Sequence, residues 1–195
     1  MTESANGANS NQLPLEDATD LLLALLYAPG SSSSFGEPIE GRTRLQKLMF
    51  LLQQDVGPKE LISEAQEYGY TPYKMGPYSQ RLTQVLEELQ SAGIIKAERL
   101  EYLLTDDSDP GLEGADVDPP EAEHKRVESL RYHLSELGEE IAEKIWRGLS
   151  EEKREGLSEF KEFFNSLTLR QLLIFTYDRF PRYTSESIIR ENLGM

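Results

Sequence analysis

The sequence contains no cysteine and only two histidines among its 195 residues. The absence of cysteine excludes disulfides, thiolate metal sites and cysteine nucleophiles, and it is typical of proteins in a reducing compartment. The histidines, His124 and His133, are too few and too isolated to indicate a metal site. We therefore expect a cytoplasmic protein that is stabilised by packing and holds no metal or other cofactor.

Long apolar runs are also missing. The longest run, residues 21–27, is far shorter than the roughly 20 residues that a membrane-spanning helix requires. No basic residue precedes this run, as one would in a secretory signal. The sequence therefore predicts no association with a membrane.

Motifs that carry catalysis are absent too. There is no Gly-rich phosphate loop, no His-Glu-x-x-His and no Gly-x-Ser-x-Gly. Glu139, Glu140 and Glu143 form a carboxylate cluster, but a helical pattern puts them opposite Ile141 and Ile145, which favours a solvated polar face. We expect no enzymatic activity.

Acidic residues dominate the chain, which has a formal net charge of −15. Residues 1–35 contain four acids and no base, residues 36–104 contain ten acids and eight bases, and residues 105–195 contain twenty-one acids and twelve bases. An excess of acid disfavours contact with nucleic acid unless the charge is segregated. The nearly neutral middle third is therefore the part best suited to a polyanion.

The first half of the chain shows a helical pattern after a polar start. Residues 1–13 have almost no apolar side chains, which predicts a disordered tail. Leu22, Leu25 and Leu26 then recur at helical spacing. A second helix is predicted over 43–54, where Thr43 and Gln46 have the spacing of a capping box.

A short helix over 60–69 and an extended segment over 70–78 are predicted next. Pro77 suits the first turn of the following helix, which ends at Gly93. The predicted buried stripe of that helix consists of Leu82, Val85, Leu86 and Leu89.

Two strand-like segments, 94–104 and 127–134, flank an acidic loop over 105–123 that contains eight acids and no base. A hairpin directly after a helix is typical of the wing of a winged helix, and the alternative is two unrelated extended segments. We predict a mainly α, α+β fold, in which residues 14–134 form a winged helix-turn-helix core with a two-stranded wing.

The last third predicts a helical extension over 135–195, packed on the wing side of the same domain. Ser135, Ser150 and Thr168 have the pattern of helix caps, and Thr168 with Gln171 makes another capping box. The first of these helices places Leu137, Ile141 and Ile145 on its predicted buried face. A final short helix is predicted over 185–192.

The outward face of the helix after Pro77 is the main candidate site. Its first turns present Gln and Arg side chains, which read base edges and phosphates in helix-turn-helix proteins, and Glu87 and Glu88 follow. Arginines and a lysine at the start of the second helix add a basic cluster. The predicted nucleic-acid-binding residues are Arg42, Arg44, Lys47, Lys74, Tyr78, Gln80, Arg81 and Gln84.

An aromatic segment that contains Tyr68, Tyr70, Tyr73 and Tyr78 admits two interpretations. Tyrosines next to basic residues can stack on bases and contact phosphates. The same side chains can instead pack at half-buried positions, where tyrosine is common.

Three segments resemble a known family. Arg-Thr-Arg-Leu-Gln-Lys-Leu-Met-Phe-Leu-Leu (42–52), Tyr-Lys-Met-Gly-Pro-Tyr-Ser-Gln-Arg-Leu (73–82) and Ala-Gly-Ile-Ile (92–95) are similar to the YwgA-like proteins, winged-helix chains of largely unassigned function. The Leu-Gln-Lys-Leu helix followed by Gly-Pro also resembles the Panacea-type domain of antitoxins and proteolytic adaptors. The resemblance covers about residues 36–104, with 177–184 similar to the YwgA-like tail, and the loop 105–123 departs from it. The resemblance implies a winged-helix regulator or adaptor, and it provides no activity that could be carried over to this chain.

Two functional hypotheses follow. The first is a winged-helix nucleic-acid-binding regulator of transcription, with DNA as partner. The alternative is a protein-interaction module of the antitoxin or adaptor type that does not bind DNA, and a homodimer is compatible with both. A continuous positive strip through Arg42, Arg44 and Arg81 would favour DNA, whereas the acidic loop and the net charge favour a protein partner.

Overall fold

A computed structural model describes residues 18–54, 68–103 and 126–194 of the chain. The predicted tail 1–13, nearly all of the helix predicted over 60–69 and the acidic loop 105–123 lie outside these residues. The described part is an α+β fold of helices and small antiparallel sheets. Its helices are α1 (Ala18–Tyr27), α2 (Arg42–Gln53), α3 (Gln80–Ser91), α4 (Glu136–Gly148), α5 (Glu151–Ser166) and α6 (Leu169–Arg179), and its strands are β1 (Ile39–Glu40), β2 (Thr71–Tyr73), β3 (Gly76–Tyr78), β4 (Ile95–Leu103) and β5 (Arg126–Leu134).

The larger sheet has the strand order β1-β5-β4, with both pairs antiparallel. Ile95 lies opposite Leu134, and Ile39 lies opposite Tyr132, and all four side chains are buried. The predicted pairing of the segments on either side of the acidic loop is therefore confirmed. In β5, Leu130, Tyr132 and Leu134 alternate with polar residues and pack on the core, as the period of two of a strand predicts.

The core is formed by helices from both halves of the chain. In α1 every residue from 21 to 26 is buried, because α4 and β5 pack against this helix. Helix α2 is buried in the same way and contacts α5 and α6. Trp146, Leu157 and Leu172 from the last three helices join the same apolar cluster as α1 and α2. The C-terminal helices therefore complete the central core.

Two predicted helix starts are wrong. Helix α2 begins at Arg42 with Gly41 as its N-cap and no side-chain cap, so Thr43 and Gln46 do not form a capping box. Pro77 is not in a helix: it lies in β3 opposite Pro72, and residues 71–78 form a β-hairpin. Helix α3 instead begins after Ser79, whose side chain accepts a hydrogen bond from the backbone N–H of Leu82. The caps predicted at Ser135, Ser150 and Thr168, including the Thr168–Gln171 capping box, are confirmed.

The predicted buried face of α4 is wrong by one position. Gly138, Ala142 and Trp146 face the core, whereas Leu137 is 49% exposed. Gly138 allows this orientation, because a Cβ at that position would collide with the carbonyl oxygen of Ile94. Close approach of the backbone, which hydropathy alone does not reveal, therefore sets the rotation of the helix.

The helix predicted over 185–192 is also wrong. A short 3-10 turn, Pro181–Tyr183, follows α6, and the chain then continues in turns to residue 194. Ile189 and Leu193 nevertheless pack with Leu173 and Tyr177 in a second, smaller apolar cluster. The side chain of Arg170 donates to the carbonyl oxygens of residues 192 and 193, which fixes the end of this segment to α6.

A buried lysine joins α5 to the end of α1. The side chain of Lys161 is 0% exposed, and its Nζ donates to the carbonyl oxygens of Leu26 at 2.9 Å and Ala28 at 2.7 Å. These carbonyls belong to the C-terminal end of α1, which carries a partial negative charge. Burial lowers the pKa of Lys161 to about 7, and the nearby Glu37 carboxylate opposes part of this effect.

Replacing Lys161 with methionine is expected to change how stability depends on pH. Between pH 7 and the ordinary pKa of 10.5, the unfolded chain binds more protons at this site than the folded chain does. The free energy of unfolding of the wild type should therefore rise with pH relative to Lys161→Met, by up to about 1.4 kcal/mol per pH unit. Urea unfolding of both proteins from pH 6 to pH 9 measures the difference, and a difference that stays constant over this range would contradict the assignment.

Candidate interaction surface

The outward face of α3 carries the side chains that the sequence predicts. Gln80, Arg81 and Gln84 are exposed, as are Glu87 and Glu88. The predicted buried stripe of Leu82, Val85, Leu86 and Leu89 is confirmed. Nη1 of Arg81 lies 3.5 Å from Oε1 of Glu88, and both side chains are exposed. Helix α3 has one base against two acids, so its outward face is mixed in charge with a slight acidic excess.

The start of α3 is fixed by a side-chain amide from α2. Oε1 of Gln46 accepts the backbone N–H of Ser79 at 3.0 Å, and Nε2 of Gln46 donates to the carbonyl oxygen of Ser79 at 2.9 Å. The amide therefore satisfies both backbone groups of a fully buried residue, as a neighbouring strand would. Oγ of Ser79 also donates to the carbonyl oxygen of Tyr68 at 2.6 Å, which connects the residues before the hairpin.

A second buried contact joins α2 to the hairpin. Lys47 is 2% exposed, and its Nζ donates to the carbonyl oxygen of Pro77 at 2.8 Å. Gly76, next to it, has a φ of 86° and packs so closely on the Tyr177 ring that a Cβ would collide with it. The Leu-Gln-Lys-Leu and Gly-Pro-Tyr-Ser segments thus form one internal junction between α2, β3 and α3.

The hairpin β2–β3 adds aromatic side chains beside α3. The rings of Tyr73 and Tyr78 have centroids 5.0 Å apart, and the Tyr78 hydroxyl lies 3.0 Å from Oγ1 of Thr83 in α3. Nζ of Lys74 lies 6.0 Å from the centroid of the Tyr73 ring. The carbonyl oxygen of Lys74 accepts the backbone N–H of Ile188 at 3.0 Å, which places the C-terminal segment beside the hairpin.

Two of these side chains are unusually exposed for their type: Tyr73 is 45% exposed and Ile188 is 70% exposed. The exposed first turns of α3 and the adjoining side chains of the hairpin and the C-terminal segment form one surface, the α3 surface. It consists of Tyr73, Lys74, Tyr78, Gln80, Arg81, Gln84 and Ile188.

The four tyrosines of the aromatic segment therefore divide into two groups. Tyr68 is buried and its hydroxyl donates to the carbonyl oxygen of Ala18 at 2.8 Å. Tyr70 packs against Phe50, and burial raises the pKa of its hydroxyl well above the ordinary value. The packing interpretation is therefore confirmed for Tyr68 and Tyr70, whereas Tyr73 and Tyr78 lie at the surface, where stacking on bases stays a prediction.

The basic cluster predicted at the start of the second helix does not form a surface strip. Besides the buried Lys47, Nη1 of Arg44 donates to the carbonyl oxygens of Phe164 at 3.2 Å and Asn165 at 3.4 Å, at the end of α5. Burial lowers the pKa of Arg44. Nε of Arg42 donates to the Tyr132 hydroxyl at 3.3 Å. These contacts bridge elements of the fold: Lys47 is buried and Arg42 and Arg44 are half-buried, so the cluster adds little exposed positive charge to that of Arg81.

Sequence reasoning missed two features of this region. Ile188 fell in a segment predicted as helix, and no local pattern indicates that it lies beside the hairpin. The role of Gln46 had a usable signal, since Gln46 and Lys47 interrupt an apolar run from Leu45 to Leu52. Polar side chains within a helix that is apolar on nearly all sides need buried partners.

Known proteins provide no further guide to this surface. Neither a protein-family model, nor a curated protein, nor a solved structure matches the chain. The resemblance to YwgA-like and Panacea-type proteins therefore stays a prediction. Within residues 18–54, 68–103 and 126–194, no group of three His, Cys, Asp or Glu side chains could hold a metal ion. In the same ranges, no helix has the length and apolarity to cross a bilayer.

Replacing Gln46 with alanine is expected to destabilise the protein by about 1–3 kcal/mol, because it leaves the N–H of a buried Ser79 without its partner. The C=O of Ser79 loses one donor but still accepts the backbone N–H of Thr83. Gln84→Ala removes an amide of the same size from the exposed face of α3 and should cost less than about 0.5 kcal/mol. Urea unfolding of the two variants measures the contrast. Equal stability of the two would show that the Gln46 amide does not hold the start of α3.

Proposed function

We propose that this chain is a winged-helix module that recognises a protein partner through the α3 surface. The order α1, β1, α2, α3, β4, β5, with the β2–β3 hairpin inserted between α2 and α3, supports the winged-helix assignment, because β1 pairs with β5 and β4–β5 has the position of a wing. The resemblance of residues 36–104 to winged-helix regulators and adaptors points the same way. Architecture alone does not select the ligand, so the choice of a protein partner rests on the surface itself.

The observation that carries the proposal is the placement of the basic residues. Lys47 and Arg44 donate to backbone carbonyls inside the fold, and Arg42 contacts a buried tyrosine of the sheet. The α3 surface keeps Lys74 and Arg81, and Glu87 and Glu88 lie on the same helix face. A duplex presents one negative charge about every 1.7 Å of helix axis, so this balance disfavours a groove contact.

The side chains of the α3 surface suit a protein interface. Tyrosine and arginine are enriched among the residues that dominate binding energy, and Tyr73, Tyr78 and Arg81 supply both. Tyr78 is held by Thr83 and stacks against Tyr73, so their ordering costs little on association. The amides of Gln80 and Gln84 add exposed donors and acceptors around them.

Nucleic-acid binding by a transcription regulator is the second candidate. It is favoured by the joint exposure of Gln80, Arg81 and Gln84 on the first turns of α3. With Arg81 and Lys74 as the phosphate contacts, the slope of log affinity against log salt would be about −1.8 on duplex DNA. Such a complex would be weak and easily dissociated by salt.

The two candidates are separated by placing a photo-crosslinking amino acid at position 84 in the protein in its native cells. The control carries it at position 155, an exposed site on α5. We expect a discrete protein adduct from position 84 that is absent from position 155, and its loss in the Tyr73→Ala/Arg81→Ala variant. This variant removes two exposed contacts without touching the buried junction of α2 and α3.

Titration of labelled duplex DNA with the purified protein at several salt concentrations completes the test. We expect no binding at physiological salt and no difference between the wild type and the double variant. Adducts to DNA from position 84, together with affinity that is lost in Arg81→Ala and falls with salt, would contradict the protein-partner proposal and establish the second candidate.

A further inference from the structure

Helix α4 exposes an apolar stripe beside its buried face. Leu137, Ile141 and Ile145 are four residues apart and therefore align along one side of the helix. Leu137 is 49% exposed, and Ile141 and Ile145 are only partly buried against the core. The same helix already buries Gly138, Ala142 and Trp146. The stripe is thus apolar surface beyond what the core uses.

The charges of α4 are divided between its two ends. The first half carries the acids Glu136, Glu139 and Glu140, and the second half carries the bases Lys144 and Arg147, of which Arg147 pairs with Glu143 of the same helix at 2.6 Å. Successive residues of a helix are rotated by about 100°. Glu140 and Lys144 therefore lie beside the apolar stripe, on the side away from the core. A helix with this division of charge is complementary to an antiparallel copy of itself.

We propose that the chain forms a homodimer by antiparallel pairing of α4 with α4 of a second copy. When the two helices are centred on Ile141, Leu137 lies opposite Ile145 of the second copy. Glu140 then lies within one helical turn of Lys144 of the second copy, and the two-fold axis creates this contact twice. A parallel pairing would instead place acids against acids. The proposal is independent of the α3 surface, which lies on other elements.

Charge also determines how the dimer responds to salt. Each copy has a net charge of −15, so the two bodies repel each other at low ionic strength. Salt screens this long-range repulsion, whereas the apolar contacts of the stripe persist. Dimerisation is therefore strengthened by salt, in contrast to binding of a polyanion, which salt weakens.

The first test uses sedimentation equilibrium of the full chain at low and high salt. The wild type is expected to show a monomer–dimer equilibrium with a lower Kd at high salt. Leu137→Ser should raise the Kd roughly tenfold to a hundredfold, because two half-exposed leucines leave the interface. Phe163→Ser is the matched control, since Phe163 is 55% exposed on α5 and should leave the Kd unchanged.

The second test reverses the flanking charges. Glu140→Lys or Lys144→Glu alone should weaken the dimer. Each variant places two charges of the same sign at positions 140 and 144 of opposite copies, and the two-fold axis repeats this contact. The Glu140→Lys/Lys144→Glu double variant should restore it, since the pairs are re-formed with opposite sign. Circular dichroism checks that each variant is folded. A monomeric wild type at the highest soluble concentration, an equal effect of Phe163→Ser and Leu137→Ser, or no restoration in the double variant would overturn the proposal.

Discussion

The pairing of the Gln46 amide with the backbone of Ser79 is the constraint on which the candidate surface depends. Ser79 is at once the N-cap of α3 and the residue that follows the hairpin, so one side chain fixes the direction of both elements. Lys47, the next residue, fixes the carbonyl of Pro77 by a charge-assisted hydrogen bond. Both contacts are buried, where a missing partner would cost most. The exposed side chains of α3 and β2–β3 are therefore presented on a rigid base.

Contacts of the same kind as that of Lys47 explain why the chain has fewer surface cations than its sequence suggests. Long basic side chains at the start of α2 reach backbone carbonyls at the end of α5 and in β3, and Lys161 does the same at the end of α1. Helix ends and turns leave carbonyls without backbone partners, and lysine and arginine satisfy them at a distance. In an acidic protein, this internal use of cations shifts the surface further towards negative charge. That shift supports recognition of a protein partner over a polyanion.

Much of the fold was predictable because it follows from local periodicity. The buried stripe of α3 and the caps at Ser135, Ser150 and Thr168 depend on residues close in sequence, and β4 pairs with β5, the next strand along the chain. The errors share a different origin. Pro77 lies in a strand that pairs with the segment around Pro72, and α4 is rotated relative to the prediction because Gly138 packs against the backbone of Ile94. For the candidate site, the outward face of α3 was predictable, whereas the burial of Lys47 and the approach of Ile188 depend on distant elements.

The central claim, that a side-chain amide of α2 holds the start of α3, is tested most directly by amide hydrogen exchange at Ser79. In the wild type, its N–H is bonded to Gln46 and should exchange slowly, at a rate close to that of the buried core. In Gln46→Ala, exchange at Ser79 should accelerate by at least about tenfold relative to the amides of the middle of α3. Exchange at Ser79 that is already fast in the wild type, or that is unchanged by Gln46→Ala in a folded protein, would contradict the account.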